Sequence, residues 1–84
     1  MSYYFSTVIS DASFDEVTQR VTDALKNEGF GVLTQIDMHD TLREKIGLDF
    51  KKYRILGACN PHFAHKALQL EGKLGVLLPC NVVV

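Results

Sequence analysis

Two cysteines, each followed by an asparagine, stand out chemically in this chain: Cys59-Asn60 and Cys80-Asn81. The thiolate is the nucleophilic and metal-binding form of cysteine, and a helix N-terminus close by favours it. Asn60 is a good N-cap and Pro61 suits the first helical position, so a helix is expected to start directly after Cys59. Free amides at a helix start also attract anions. His65 lies one turn further along. Cys59, Asn60, His65, Cys80 and Asn81 therefore define the expected site, one for a small anionic or thiol-containing ligand. The alternative is a thiol-dependent redox or sulfur-handling enzyme using Cys59 or Cys80. A plainer account makes Asn60 a cap, Asn81 a turn residue and both cysteines small buried apolar groups.

Metal binding is weighed separately. Cys59, His62 and His65 are spaced by three and, with Cys80, make four ligands of zinc type. The paired C-x2-4-C knuckle is absent, and Cys59 precedes the helix that carries the histidines. No metal or other cofactor is expected. There is no G-x-S-x-G, Walker A, G-x-G-x-x-G or H-E-x-x-H pattern. Asp37, Asp40 and Glu44 are close in sequence, but no carboxylate pair clearly faces a cleft. His39 reads as an ordinary loop residue. Tyr3, Tyr4 and Phe5 lack the basic neighbours of a base-stacking platform.

Positioning these residues falls to one domain, 1–84, since the chain has 84 residues. Hydrophobic residues at 46% and charged residues at 23% give an ordinary globular balance. A formal net charge of -1 without a basic stripe argues against nucleic acid. No apolar run approaches the roughly 18 residues of a membrane span. The first ten residues lack the pattern of an export signal, so the thiols are expected to be reduced and the protein cytoplasmic. Val82-Val83-Val84 closes the sequence in what reads as a strand. The expectation is either a piece of a longer domain or a last strand covered by a partner chain.

Alternation predicts strands over Tyr3–Ile9, Gly31–Met38, Tyr53–Ala58, Leu74–Leu78 and Asn81–Val84. Ser13-Phe14-Asp15-Glu16 has the form of a capping box, and Phe14, Val17, Val21, Ala24 and Leu25 recur at helical spacing. This helix is expected over Phe14–Glu28, stopped by Gly29 with Phe30 folding back onto Leu25. Further helices are expected over His39–Gly47, capped by Asp40, and Pro61–Leu70. Pro79 marks a tight turn at Pro79-Cys80-Asn81. The strand before Cys59, the helix after it and the strand before Cys80 could form a β-α-β unit. Parallel strands would then bring both cysteines to the carboxyl ends of the strands, where open α/β sheets bind ligands.

Three segments resemble one family. Glu28-Gly29-Phe30-Gly31-Val32-Leu33-Thr34 is similar to its E-G-F-G-V-L-T segment. Tyr53-Arg54-Ile55-Leu56-Gly57-Ala58-Cys59-Asn60-Pro61 with Ala64-His65 resembles Y-x-I-L-G-A-C-N-P-x-x-A-H. Leu77-Leu78-Pro79-Cys80-Asn81-Val82-Val83-Val84 resembles L-L-P-C-N-V-V-V. The family is the small prokaryotic one known as domain of unknown function 302. The resemblance implies a compact α+β domain, a curved sheet with helices on it, a homodimer, and no established reaction. Members usually continue with more strand and a terminal helix, so the C-terminal part of the family domain is expected to be missing here. His65 falls within the motif and His62 does not.

The expected fold is α+β: a five-stranded, mainly antiparallel sheet with helices packed on one face, in the order β-α-β-α-β-α-β-β. A self-associating structural module without a ligand, its terminal valines paired with a second chain, is a third functional expectation.

Overall fold

The computed structural model describes residues 4–84. Its elements are α1 (Phe14–Asn27), β1 (Gly31–Asp37), α2 (Met38–Ile46), β2 (Arg54–Cys59), α3 (Pro61–Leu70), a 3-10 helix (Gly72–Leu77) and β3 (Cys80–Val83). The fold is α+β, but among the described residues the sheet has three antiparallel strands in the order β1-β2-β3, not five. Two expected strands account for the difference.

The first is Tyr3–Ile9. Tyr3 lies outside the described residues, and Tyr4–Ile9 forms no strand. Aromatic and β-branched residues favour a pleated surface only where a neighbouring strand offers a ladder. The second is Leu74–Leu78, which is helical. The Glu71 carboxylate accepts the Lys73 amide at 2.9 Å. The Leu74 amide donates to the Glu71 carbonyl at 3.1 Å, and that of Leu78 to the Gly75 carbonyl at 3.1 Å. These local bonds compete with a strand for the same backbone groups. The expected parallel β-α-β unit is therefore absent. Nor do Pro79, Cys80 and Asn81 form a tight turn, since Cys80 already belongs to β3 and pairs with Ala58. The Leu78–Pro79 peptide bond is cis.

The helices follow their local signals more closely. The Ser13 hydroxyl accepts the Glu16 amide at 3.2 Å. At the other end of α1, the Phe30 amide donates to the Leu25 carbonyl and the Gly29 amide to that of Lys26, with Gly29 at φ 85°. This is the Schellman closure that the sequence suggests. Helix α2 starts after Asp37 rather than at Asp40, and Asp37 makes no side-chain cap bond because Arg54 engages it.

The sheet places residues in cross-strand rows. Gln35, Leu56 and Val82 form one row on the same face as Val32, Ala58 and Cys80. On the opposite face Ile36, Ile55 and Val83 form a row, and Ile36 and Val83 are exposed. Among the described residues, only β2 carries buried ones: Leu56, Gly57 and Ala58. Gly57 cannot carry a side chain without movement around it. A Cβ there would strike the Thr34 hydroxyl and come within 2.7 Å of the Pro79 ring. This close approach seats Pro79 against the middle strand and fixes where Cys80 begins β3.

Candidate functional site

The two ends of β2 carry different chemistry. At the Arg54 end, the guanidinium donates to Asp37 at 2.6 Å and reaches Asp15 at 3.3 Å and the Thr18 hydroxyl at 3.1 Å. It also lies over the Phe14 ring, 4.6 Å from the centroid. Arg54 thus ties α1 to β1 and β2, and it holds the Asp37 carboxyl below the ordinary 3.8, chiefly through their hydrogen bond. His39 packs edge-on against Phe14 at 6.0 Å, and its Nδ1 accepts the Tyr53 amide at 3.0 Å. It belongs to α2 and is not a loop residue.

Asp37, His39 and Asp40 form the group of potential metal ligands found among the described residues. Protein partners account for its inner members. Both Asp37 oxygens face Arg54, and the His39 Nδ1 is taken up by the Tyr53 backbone. The group reads as structural.

At the Cys59 end, an open hollow of about 220 Å³ is lined by Phe30, Cys59, Asn60, Phe63, Ala64, Ala67, Leu78 and Cys80. Each element contributes for a local reason. The Schellman closure delivers Phe30 immediately after α1. Cys59 ends β2 opposite Gly31, and Cys80 opens β3 opposite Ala58. Phe63, Ala64 and Ala67 share one face of α3. The antiparallel pairing, rather than a parallel crossover, is what brings the two cysteines to the same end of the sheet.

Asn60 organises the entry to α3. Its side-chain oxygen accepts the Phe63 amide at 3.3 Å, and its carbonyl accepts the Ala64 amide at 2.9 Å. The asparagine also lies over Gly29, where a Cβ would come within 2.9 Å of Nδ2. Gly29 therefore serves twice: its positive φ closes α1, and its missing side chain admits Asn60.

Three of the five expected site residues line this hollow: Cys59, Asn60 and Cys80. His65 is exposed on α3 and outside the lining, as is His62, so the four ligands of zinc type do not share it. Asn81 alternates away from Cys80, pairs with Gly57, and borders a different hollow. Cys59 is half-buried and Cys80 exposed, and both are free thiols. Cys80 is therefore not the buried apolar group that the plainer account expects. Phe30, Phe63 and Leu78 were not among the expected site residues. Phe30 had the clearest signal, a large apolar group fixed just beyond a glycine stop.

The segments around Phe30, Cys59 and Cys80, distant in the chain, thus meet at one place. The family model described as domain of unknown function DUF302 matches residues 6–84. The chain belongs to the DUF302 family. It is similar to a solved structure, an uncharacterized conserved DUF302 protein from Bacillus stearothermophilus, with 42% identity and a TM-score of 0.79. That match covers 87% of this chain and 57% of the neighbour, so this chain spans little more than half of the neighbour's length. No curated protein matches it. Among the described residues, no helix is long and apolar enough to cross a membrane.

Proposed function

We propose that this DUF302 chain binds a small, largely apolar molecule in the hollow beside Cys59 and Cys80. The carrying observation is the convergence of Phe30, Cys59, Phe63, Leu78 and Cys80, from separate segments, on one apolar recess with two thiols at its wall. Its volume of about 220 Å³ is below the roughly 300–1,000 Å³ of drug-sized pockets, so the occupant is a compact molecule or one group of a larger one.

The chemistry favours a thiol-containing ligand over an anionic one. No Lys or Arg lines the recess, and Asn60 already takes up the Phe63 and Ala64 amides at the start of α3. An anion would find neither a cation nor those donors. Cys59 and Cys80 stand at the recess as free thiols, offset by one position in the β2–β3 ladder.

An NMR titration of the labelled protein tests this reading, using small molecules matched in size: an apolar thiol, its alcohol analogue and its carboxylate analogue. The expected result is saturable shifts at Phe30, Cys59, Phe63 and Cys80, largest for the thiol. A folded protein whose spectrum is unmoved by all three at millimolar concentration would end the proposal.

A further inference from the structure

The two thiols at the recess differ in a way that gives them different tasks. We infer that Cys80 captures a small apolar disulfide covalently, as a mixed disulfide with one of its arms, while Cys59 stays a thiol in the wall. This rests on the binding reading above and adds a modification site to it. Cys80 is exposed and Cys59 half-buried, so Cys80 is the free thiol that an incoming disulfide reaches. Its backbone is held in place. It pairs with Ala58, which is 1% exposed, and it follows Pro79, whose ring packs against Gly57. The surface beside it is apolar and in part uncovered: Phe63 is 66% exposed, and Phe30, Ala64, Ala67 and Leu78 complete the wall. One arm of a disulfide laid on that surface brings its sulfur to Cys80 and leaves the other arm in water. A hollow of about 220 Å³ suits one short arm rather than a drug-sized body.

The exchange balances without any further reagent. The Cys80 thiol gives its proton to water, and the thiolate attacks the sulfur of the seated arm. A new S–S bond joins Cys80 to that arm, and the original S–S bond breaks. Its electron pair leaves with the outer arm, which takes a proton from water and departs as a free thiol. The disulfide is thus the oxidant: Cys80 is oxidised and the departing sulfur reduced. A second thiol in solution reverses the step. No Lys, Arg or His lines the recess, so nothing there attracts a charged disulfide, and selectivity comes from apolar contact alone. A short dialkyl disulfide should react roughly 10-fold faster than its dicarboxylate analogue, as burial of about two methylenes would give. The ratio is taken relative to that of the urea-unfolded chain, which removes intrinsic differences between the reagents.

The test treats the protein with each disulfide in excess and follows it by intact mass and peptide mapping. One arm should be added, at Cys80, with the stated preference in the folded protein, and a reducing agent should remove it. Cys59→Ser should keep the addition and Cys80→Ser abolish it; mapping on the wild-type chain decides even if a variant does not fold. Addition at Cys59, a Cys59–Cys80 disulfide that retains no arm, or an equal ratio in folded and unfolded chains overturns the inference. If the apolar thiol binds in the NMR titration yet no arm is added, covalent capture falls and the binding reading stands. If no ligand shifts the spectrum and Cys80 reacts without preference, both fall.

Discussion

β2 runs between two unlike regions. Around Arg54, the guanidinium joins α1, β1 and β2 through Asp15, Thr18 and Asp37. Around Cys59, the walls are apolar, one thiol is half-buried and the other exposed, and the hollow stands open. A charge held by several bonds in a half-buried position is costly to disturb, because removing one partner leaves the other uncompensated. A small apolar recess with unpaired thiols contributes little to stability. The contrast separates residues that hold the fold from residues available for binding.

The largest effect should come from the residue between the two regions. Gly57→Ala pushes a methyl group towards the Thr34 hydroxyl and the Pro79 ring. The cost should be about 3 kcal/mol, the upper part of the usual range for overpacking, read from the shift in urea midpoint. Because Pro79 must move, the amides of Leu78 and Cys80 should also shift in the folded fraction. A substitution that left stability and those amides unchanged would mean that Pro79 is not seated on β2.

Arg54→Met follows, at about 2 kcal/mol, since it leaves the half-buried Asp37 without its partner. The pH dependence identifies the interaction. Asp37 has a depressed pKa in the folded state, so its contribution is present above the unfolded value near 3.8 and is lost as pH falls through the lower folded value. The stability difference between wild type and Arg54→Met should therefore be constant above about pH 5 and narrow below it. A gap that stayed constant down to acid unfolding would assign the effect of Arg54 to its packing on Phe14 instead.

The same contrast explains what could be read from sequence. The Arg54 end depends on residues distant in the chain, and neither Asp37 nor Arg54 carried a local signal for the pair they form. The helix ends were legible because Ser13, Gly29, Asn60 and Gly47 act within one turn of themselves. The Cys59 end was legible in its residues but not in its route: the convergence was expected from a parallel crossover and comes from an antiparallel ladder. Gly72-Lys73-Leu74-Gly75-Val76-Leu77 shows why. Its apolar residues suit a strand, yet Glu71 caps a short helix there through the Lys73 amide. Tyr4–Ile9 has strand composition without a described ladder to join. Asn81 and His65 belong to the matching motifs, but strand alternation and helix phase turn them away from the recess.

Asn60→Ala tests the boundary of the open region at about 1 kcal/mol, the usual value of an N-cap. Far-UV circular dichroism and urea unfolding measure it. The loss should be accompanied by weaker ligand-induced shifts, because the cap sets the start of α3 and hence the position of Phe63. A full cap energy with unaltered shifts would make Asn60 a helix residue only.

The smallest stability effect and the sharpest division belong to the thiols. Cys80→Ser changes an exposed side chain and should alter stability by no more than about 0.5 kcal/mol. Cys59→Ser, at a half-buried position, should cost somewhat more, about 1 kcal/mol, since a hydroxyl replaces a weakly polar thiol against Phe30 and Phe63. Both variants should nevertheless lose preference for the thiol over its alcohol analogue in the titration. If the region around Arg54 is the structural one, Arg54→Met should show the reverse: lower stability with ligand preference intact in the folded fraction. Two variants that each moved both readouts together would show that the ends of β2 are not separable, and the binding site would have to be sought in the sheet as a whole.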